Sequence, residues 1–323
     1  NEIKKRSGQF KIHPVFMEIR PDSFTPVHIF KALRRGEENA FILESVSSEN
    51  QWDRYSFIGI NPKMEVKIDK NIAEVTKDSI KTCSETDNPV DFIENIMKDY
   101  TSPKIEGMPK FTGGFVGYFA YDTVRYAEKK LVNMPEDDTH MPDCHLFLYD
   151  ELVAYDHLQN KVVIILNIIL DDDIDEQYNA EKKRFLKIED KINSYFERPH
   201  SRGSYTDYEV KSNVTKEEFI KNVNIAKKHI TDGDIFQIVL SQRFEIDNPP
   251  DSFNVYRMLR AVNPSPYLYY FTSSDYKIAG ASPEMLVSVT DGIVKTKPIA
   301  GTVPRGKNSA EDRKIKKKLN SDP

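Results

Sequence analysis

The sequence has little of several features that define large classes of protein. Among its 323 residues are two cysteines, Cys83 and Cys144, which are too few for a disulfide-rich scaffold or a cysteine-rich metal site. The longest apolar run, residues 162–170, is interrupted by Asn167 and is too short to span a bilayer. The first ten residues lack the apolar core of a signal peptide. We therefore expect a cytoplasmic protein without a membrane segment.

An excess of either charge is also absent. Lys and Arg number 46 against 51 Asp and Glu, so the formal net charge is -5 and there is no overall basic bias toward nucleic acid or an anionic membrane. The basic run at residues 313–318 is typical of a solvated helix face. Hydrophobic residues make up 39% of the chain, which at this length supports a sizeable core and excludes wholesale disorder.

The hydrophobic pattern divides the chain into three stretches. Residues 1–170 contain several short segments that alternate apolar and polar residues, as half-buried strands do. Residues 171–213 open with an acidic run and continue as an amphipathic helix and a polar linker. We predict two domains, residues 1–170 and residues 214–323, joined by this surface helix and linker.

Local signals predict where individual elements begin and end. Thr25, followed by Pro26, is a helix N-cap, and Thr215 with Glu218 three residues later forms a capping box ahead of a helix. Asp291-Gly292 predicts a two-residue type I′ hairpin turn. The apolar run at residues 236–246 predicts a strand. In TGGFVGYF the glycines have the wrong spacing for a dinucleotide site and indicate close packing of a strand.

Glycine, small polar residues and single charges crowd together in two segments of the third stretch. In PIAGTVPRG, Gly301 lets backbone N–H groups approach an anion, Thr302 adds a hydroxyl group, and Arg305 adds a planar donor suited to a carboxylate. In GASPEMLV, Glu284 enters a strand that should be buried, and burial would raise the pKa of its carboxyl group and suit it to general acid catalysis. Each segment alone also fits a tight turn or a capping carboxylate. Together they predict a site for a small anion with a proton donor nearby.

Four segments together closely resemble the chorismate-utilising enzymes, namely PIAGTVPRG, GASPEMLV, DGDIFQIVLSQRFE and NPSPYLYYF. Within these enzymes the match is to the anthranilate synthase component I family, whose N-terminal domain is similar to the segments FILES, RYSFIG and TGGFVGYFAYD. The resemblance covers nearly the whole chain. It implies an α+β fold, the anthranilate synthase large-subunit fold, in which layered antiparallel sheets pack with helices outside.

The resemblance also implies a lyase reaction in tryptophan biosynthesis. Members of the family add ammonia to chorismate at C2, expel the C4 hydroxyl group and eliminate pyruvate to leave anthranilate. A partner glutamine amidotransferase subunit, component II, supplies the ammonia, and a magnesium ion holds a carboxylate of chorismate. Tryptophan is the usual feedback inhibitor.

Matching positions carry the family's substrate residues over to this chain. Gly301 and Thr302 match the glycine and threonine that contact chorismate, and Glu284 matches the acid that helps the C4 hydroxyl group to leave. Val303 replaces an arginine that is common in the family, so one positive charge is missing, although Arg305 remains as a donor.

The effector residues are carried over in the same way. Ser45, in FILES, matches the serine that holds the amino group of tryptophan in inhibited members of the family. Pro266, Tyr267 and Leu268 match the opposite wall of that pocket. Leu268 stands where some members have methionine, and both side chains are flexible apolar fillers.

Two positions distinguish this chain from other chorismate enzymes. Gln237 stands where the enzymes that add water have a lysine base, and a neutral amide cannot activate water, which favours ammonia as the nucleophile. Ala300 stands where many aminodeoxychorismate synthases have a nucleophilic lysine, and alanine cannot attack chorismate.

Some of the family's site residues have no counterpart before Pro323. The resemblance implies that the magnesium ligands and about half of the substrate site lie beyond this residue, so we assign no metal ligand within the chain and expect this part alone to be inactive. Two further functions stay open. The first is component I of aminodeoxychorismate synthase, and the second is a truncated, non-catalytic tryptophan-binding module.

Overall fold

The computed structural model describes residues 3, 6, 8–20, 24–45, 54–131, 133–134, 136–170, 173–196, 207–299 and 302–321. The chain forms two compact units. The first combines Asn1–Tyr195 with Tyr256–Pro323, and the second is Phe196–Val255. No helix in the described ranges is long and apolar enough to cross a membrane.

Most of the regular structure consists of antiparallel strands. In chain order the described strands are β1 (Ile12–Ile19), β2 (Ala40–Glu44), β3 (Tyr55–Ile60), β4 (Met64–Asp69), β5 (Ile72–Lys77), β6 (Ile80–Glu85), β7 (Gly114–Phe119), β8 (Cys144–Tyr149), β9 (Glu151–Asp156), β10 (Lys161–Ile169), β11 (Val210–Ser212), β12 (Phe244–Ile246), β13 (Tyr267–Thr272), β14 (Lys277–Ser282), β15 (Ser288–Thr290) and β16 (Ile293–Lys295). The described α-helices are α1 (Pro26–Arg34), α2 (Pro89–Met97), α3 (Val124–Ala127), α4 (Ile174–Ser194), α5 (Lys216–Asp232), α6 (Ser252–Val262) and α7 (Ser309–Asn320).

The first unit contains two large sheets. A seven-stranded sheet has the order β1-β10-β9-β3-β2-β13-β14, and a five-stranded sheet has the order β6-β5-β4-β8-β7. The last two strands of the larger sheet, β13 and β14, come from residues 267–282, far along the chain from β2. The pair β15 and β16 forms a small hairpin of its own.

The two large sheets share one apolar core. Its buried residues come from the facing surfaces of both sheets and are Phe41, Phe147, Tyr149, Leu152, Ala154, Val163, Ile165 and Phe271. Asp150 lies between β8 in one sheet and β9 in the other, so the chain passes directly from sheet to sheet.

Helices cover the outer surfaces of both sheets. Helix α2 packs on the far face of the five-stranded sheet, through Phe92, Ile93 and Ile96. Helices α1 and α4 contact each other and the seven-stranded sheet. Their buried apolar residues are Ile29, Phe30 and Leu33 in α1, and Phe185, Ile188 and Ile192 in α4. The predicted α+β fold, with layered antiparallel sheets and helices outside, is confirmed.

The local signals in the sequence act as predicted. The hydroxyl group of Thr25 caps α1, and Thr215 and Glu218 form both hydrogen bonds of a capping box at the start of α5. Asp291 and Gly292 have φ values of 55° and 74°, which is the left-handed pair that a type I′ turn between β15 and β16 requires.

Close contacts with neighbouring residues account for two of the glycines in TGGFVGYF, Gly113 and Gly117. A Cβ atom at Gly117 would lie 2.0 Å from the backbone oxygen of His145 on the neighbouring strand β8. Gly113 also lies close to its neighbours, since an added Cβ would be 2.8 Å from the side-chain nitrogen of Asn167. The prediction that these residues serve close packing is confirmed.

The predicted strand at residues 236–246 is wrong for most of its length. Only Phe244–Ile246 forms a strand, because its antiparallel partner β11 offers just the three residues Val210–Ser212. The preceding residues are irregular, and Phe236 and Val239 are 94% and 83% exposed. An apolar run forms a regular strand only where a neighbouring strand can take up its backbone hydrogen bonds.

Candidate functional site

Three neighbouring strands of the seven-stranded sheet bring distant parts of the sequence to one edge. In β13, Leu268 pairs with Glu44 of β2, so the next step along the two strands brings Tyr267 level with Ser45. On its other side, Tyr267 pairs with Ser282, the last residue of β14. The edge therefore carries the predicted effector residues and the start of the segment that leads to Glu284.

The predicted effector residues thus lie together although about 220 residues separate them in the chain. Ser45 and Pro266 are half-buried, Leu268 is buried, and Tyr267 is 39% exposed. Side chains alternate along a strand, so Tyr267 and Leu268 point to opposite faces of the sheet.

The face of the sheet that carries Tyr267 also carries incompletely buried apolar side chains. Leu43, Tyr55 and Phe57 pack against the shared core without being fully buried. Tyr269 lies in the same row as Leu43, and its ring covers Gly280 on β14, where an added Cβ would be 2.1 Å from the ring. These half-buried apolar side chains lie on the same face of the sheet as Tyr267.

The opposite face carries a buried charge that sequence reasoning missed. Glu44 is 5% exposed, accepts a hydrogen bond of 2.6 Å from the hydroxyl group of Tyr256, and pairs with Arg260 at 2.8 Å and 3.0 Å. Burial raises the pKa of Glu44, and the hydrogen bond from Tyr256 and the charge of Arg260 oppose that rise. Burial and the nearby Glu44 carboxylate raise the pKa of Tyr256.

Signals for this network were present in the sequence. Glu44 is a charged residue at the end of an otherwise apolar strand, and such a residue needs a partner when buried. Tyr256 and Arg260 are four residues apart, which places them on one face of a helix. The sequence does not indicate which strand that helix face meets.

Glu284 lies in a different environment from the predicted one. It follows β14 in an irregular segment, and its side chain is exposed, so the expected burial and desolvation of the carboxyl group are wrong for the part of the chain described. Its carboxylate accepts a hydrogen bond of 3.3 Å from the backbone N–H of Ile299. The two segments that sequence analysis singled out, GASPEMLV and PIAGTVPRG, are therefore in direct contact.

The remaining predicted substrate residues are close to this contact in the chain. Gly301 lies outside the described residues. Thr302, three residues after Ile299, is exposed. Arg305 is also exposed and forms an ion pair of 3.0 Å with Asp312 in the first turn of α7, so its guanidinium group already has a carboxylate partner.

Gln237 belongs to the second unit. It lies in the irregular segment after α5, and its side chain is exposed. The predicted strand that would have held it does not form at this position.

The structure offers no cluster suited to a metal ion among the residues it describes. No three His, Cys, Asp or Glu side chains in those ranges come together as ligands.

Comparison with known proteins identifies the class. The family described as chorismate binding enzyme matches residues 38–323, and the chain belongs to this family. Within the family it is similar to component I of anthranilate synthase. It is 42% identical to that protein from Acetivibrio thermocellus over 330 residues, which cover 100% of this chain and 66% of the relative. It is 36% identical to the Aquifex aeolicus protein, covering 99% of this chain and 65% of the relative.

Solved structures agree with this placement. Anthranilate synthase component I from Streptococcus pneumoniae superimposes with a TM-score of 0.67 at 31% identity, covering 86% of this chain and 59% of that one. The menaquinone-specific isochorismate synthase of Escherichia coli superimposes with a TM-score of 0.54 at 14% identity, covering 100% of this chain and 63% of that one, and shares the fold. The chain spans slightly less than two thirds of the length of the curated relatives it matches.

Proposed function

We propose that the complete protein is a lyase that converts chorismate and ammonia to anthranilate and pyruvate in tryptophan biosynthesis. Membership of the chorismate-binding family and similarity to component I of anthranilate synthase support this proposal. The structural observation that carries it is the hydrogen bond between Glu284 and the backbone of Ile299. This bond joins the segment with the acid to the segment with Gly301 and Thr302.

In this proposal Glu284 protonates the C4 hydroxyl group of chorismate as that group leaves. The N–H of Ile299 holds one carboxylate oxygen and leaves the other free to carry the proton. Thr302 offers a hydroxyl group to the substrate a few residues further on, together with the backbone of Gly301. To bind a substrate carboxylate, Arg305 would have to break its ion pair with Asp312 or divide its N–H donors between Asp312 and the substrate.

Ammonia is the proposed nucleophile. Gln237 has a neutral amide side chain, which can donate hydrogen bonds to ammonia or chorismate and accept hydrogen bonds from them. It cannot deprotonate water as an amine base can. A glutamine amidotransferase, component II, is the proposed source of ammonia. Magnesium in the complete enzyme remains a prediction from the resemblance.

Tryptophan is the proposed feedback inhibitor. Ser45 would accept a hydrogen bond from its ammonium group, and Pro266, Tyr267 and Leu268 would form the opposite side of the pocket. The adjacency of β2 and β13 supports this arrangement, since it brings all four residues to one edge of the sheet. The incompletely buried apolar face beside Ser45 would accommodate the indole ring.

A product assay tests the proposal. The complete protein is incubated with chorismate, magnesium and an ammonium salt, and the fluorescence of anthranilate is followed, with tryptophan binding measured separately by calorimetry. Fluorescent product supports the proposed reaction. Formation of non-aromatic aminodeoxychorismate would replace it with the aminodeoxychorismate synthase activity. Tryptophan binding without turnover would indicate a non-catalytic binding module, and absence of both would overturn the proposal.

A further inference from the structure

The buried carboxylate of Glu44 joins β2 to helix α6. Its side chain is 3% exposed, and it is held by Tyr256 and Arg260, which lie one turn apart on α6. A carboxylate at this depth is strongly destabilised unless its partners remain in place. The contact between β2 and α6 is therefore restricted to a narrow range of positions.

Helix α6 leads directly into one wall of the proposed tryptophan pocket. It ends at Val262, and only residues 263–266 separate it from β13. This connection has little freedom, because Ser265 is buried and its hydroxyl group donates to the backbone oxygen of Asn263 at 3.2 Å. A shift of α6 must therefore move Pro266 and the start of β13.

The other side of the same pocket follows directly from Glu44. Ser45 is the next residue in the chain, so the carboxylate that holds α6 is attached to the backbone that presents the serine. The Tyr256 ring also packs on Tyr270 of β13, with 5.6 Å between the ring centroids. Both sides of the pocket thus depend on one polar contact on the opposite face of the sheet.

We propose that Tyr256 and Arg260 are positioning residues that act through Glu44 to hold Ser45 and the Pro266–Leu268 wall at the separation that tryptophan requires. This proposal rests on the proposed function, since it concerns the effector pocket assigned there. Neither residue needs to touch the ligand. Their loss would remove no side chain that lines the pocket but would allow the distance between its two sides to vary, which weakens binding.

Calorimetric titration with tryptophan tests this proposal in Tyr256→Phe, Arg260→Met and Arg260→Lys. We expect the first two to weaken tryptophan binding about three- to thirtyfold, the range typical of residues that act on a site without touching the ligand. Arg260→Lys keeps the positive charge but loses the planar guanidinium group that lies against both carboxylate oxygens, so its affinity should lie between those of wild type and Arg260→Met.

Matched controls separate positioning from general destabilisation. Arg184 pairs with Glu151 much as Arg260 pairs with Glu44, since both arginines are about one-third exposed and both carboxylates are buried. Arg184→Met should lower the melting temperature about as much as Arg260→Met does and leave tryptophan affinity within twofold of wild type. Tyr155→Phe, which removes a hydroxyl group bonded to Asn160, is the control for Tyr256→Phe.

A double-mutant cycle with Ser45→Ala supplies the decisive readout. If Tyr256 acts by positioning Ser45, the effect of Tyr256→Phe should be clearly smaller when Ser45 is already alanine. The proposal would be overturned if Tyr256→Phe and Ser45→Ala changed tryptophan affinity independently, by factors that simply multiply. It would also be overturned by unchanged affinity in Tyr256→Phe and Arg260→Met, or by equal weakening of affinity in Arg184→Met. Absence of tryptophan binding to the wild type would instead reject the effector assignment itself, and this inference with it.

Discussion

The side chain of His145 is fully buried between the two large sheets. Its Nε2–H donates to Glu65 at 2.8 Å, since a carboxylate can only accept, and the hydroxyl group of Tyr276 donates to its Nδ1. The ammonium group of Lys67 lies 3.2 Å from Glu65 and 3.0 Å from Asp275. This histidine is therefore a buried core residue whose two ring nitrogens both have hydrogen-bond partners.

Because of these contacts, the stability of the fold should decrease at acid pH. The hydrogen bond from His145 lowers the pKa of Glu65 below its ordinary value. The stabilisation is therefore fully present above the unfolded-state pKa of about 4.3 and is lost as the pH falls through the lower folded-state value. We expect the free energy of unfolding to fall more steeply below about pH 4.3 in the wild type than in Glu65→Gln.

Urea unfolding at several acid pH values measures this difference. Glu85→Gln is the control, because Glu85 is an exposed carboxyl group on β6 of the same sheet. Parallel pH profiles for the wild type and Glu65→Gln would reject the role given to the His145–Glu65 contact.

Glu284 provides a second test at the residue scale. In the complete protein we expect Glu284→Gln to reduce kcat by about 10²–10⁴-fold, the usual contribution of a general acid, while chorismate binding persists. The amide keeps an oxygen for the N–H of Ile299, so the contact between the two segments should survive. The measurements are steady-state kinetics and chorismate titration, and a fall in kcat of less than about tenfold would remove Glu284 from the acid role.

At the scale of elements, the close approach of strands β7 and β8 explains why residue 117 is a glycine. Gly117→Ala would place a Cβ atom 2.0 Å from the backbone oxygen of His145, and neither strand can move without disturbing the core. We expect it to lower the free energy of unfolding by about 2–3 kcal/mol or more, as overpacking does.

Gly36→Ala is the matched variant, because the Cβ there meets nothing within 4 Å and only its φ of 88° is unfavourable. It should reduce the unfolding free energy by about 1 kcal/mol. Denaturant titration of both variants gives the ranking, and an equal or larger loss in Gly36→Ala would contradict the close-approach explanation.

At the scale of the whole molecule, the proposed effector pocket lies beside the strand that leads to the proposed acid. Strand β13 carries Tyr267, which pairs with Ser282 on β14 two residues before Glu284. Ser45 and Thr302 are far apart in the chain. The pairing of β2, β13 and β14 instead places the effector wall one strand away from the chain that leads to the acid.

Because Ser45 is not one of the proposed substrate-binding or catalytic residues, losing tryptophan binding there should relieve inhibition without harming the reaction. Ser45→Ala should weaken tryptophan binding about ten- to hundredfold through loss of a hydrogen bond to a charged ammonium group. The uninhibited rate should stay nearly unchanged. Calorimetry on the wild type and the variant measures the affinity, with Ser84→Ala on β6 as an exposed control. Equal affinities would reject the effector role of Ser45.

The sequence by itself determined the local structure and the family. Caps at Thr25 and Thr215 and the turn at Asp291-Gly292 depend on contacts within a few residues, so their chemistry can be seen directly in the chain. The α+β fold class followed from the resemblance to that family. The family followed from short segments whose combination is specific even though each alone is not.

Only the tertiary structure decided which distant residues meet and which side chains are buried. Glu44 lies on Tyr256 and Arg260 because β13, 220 residues later, pairs with β2 and brings α6 beside it. Glu284 is exposed and residues 236–243 are irregular, because burial and strand formation depend on neighbouring segments and not on the apolar character of the segment itself. Pairing across long stretches of chain depends on the packing of the whole sheet, and no local pattern encodes it.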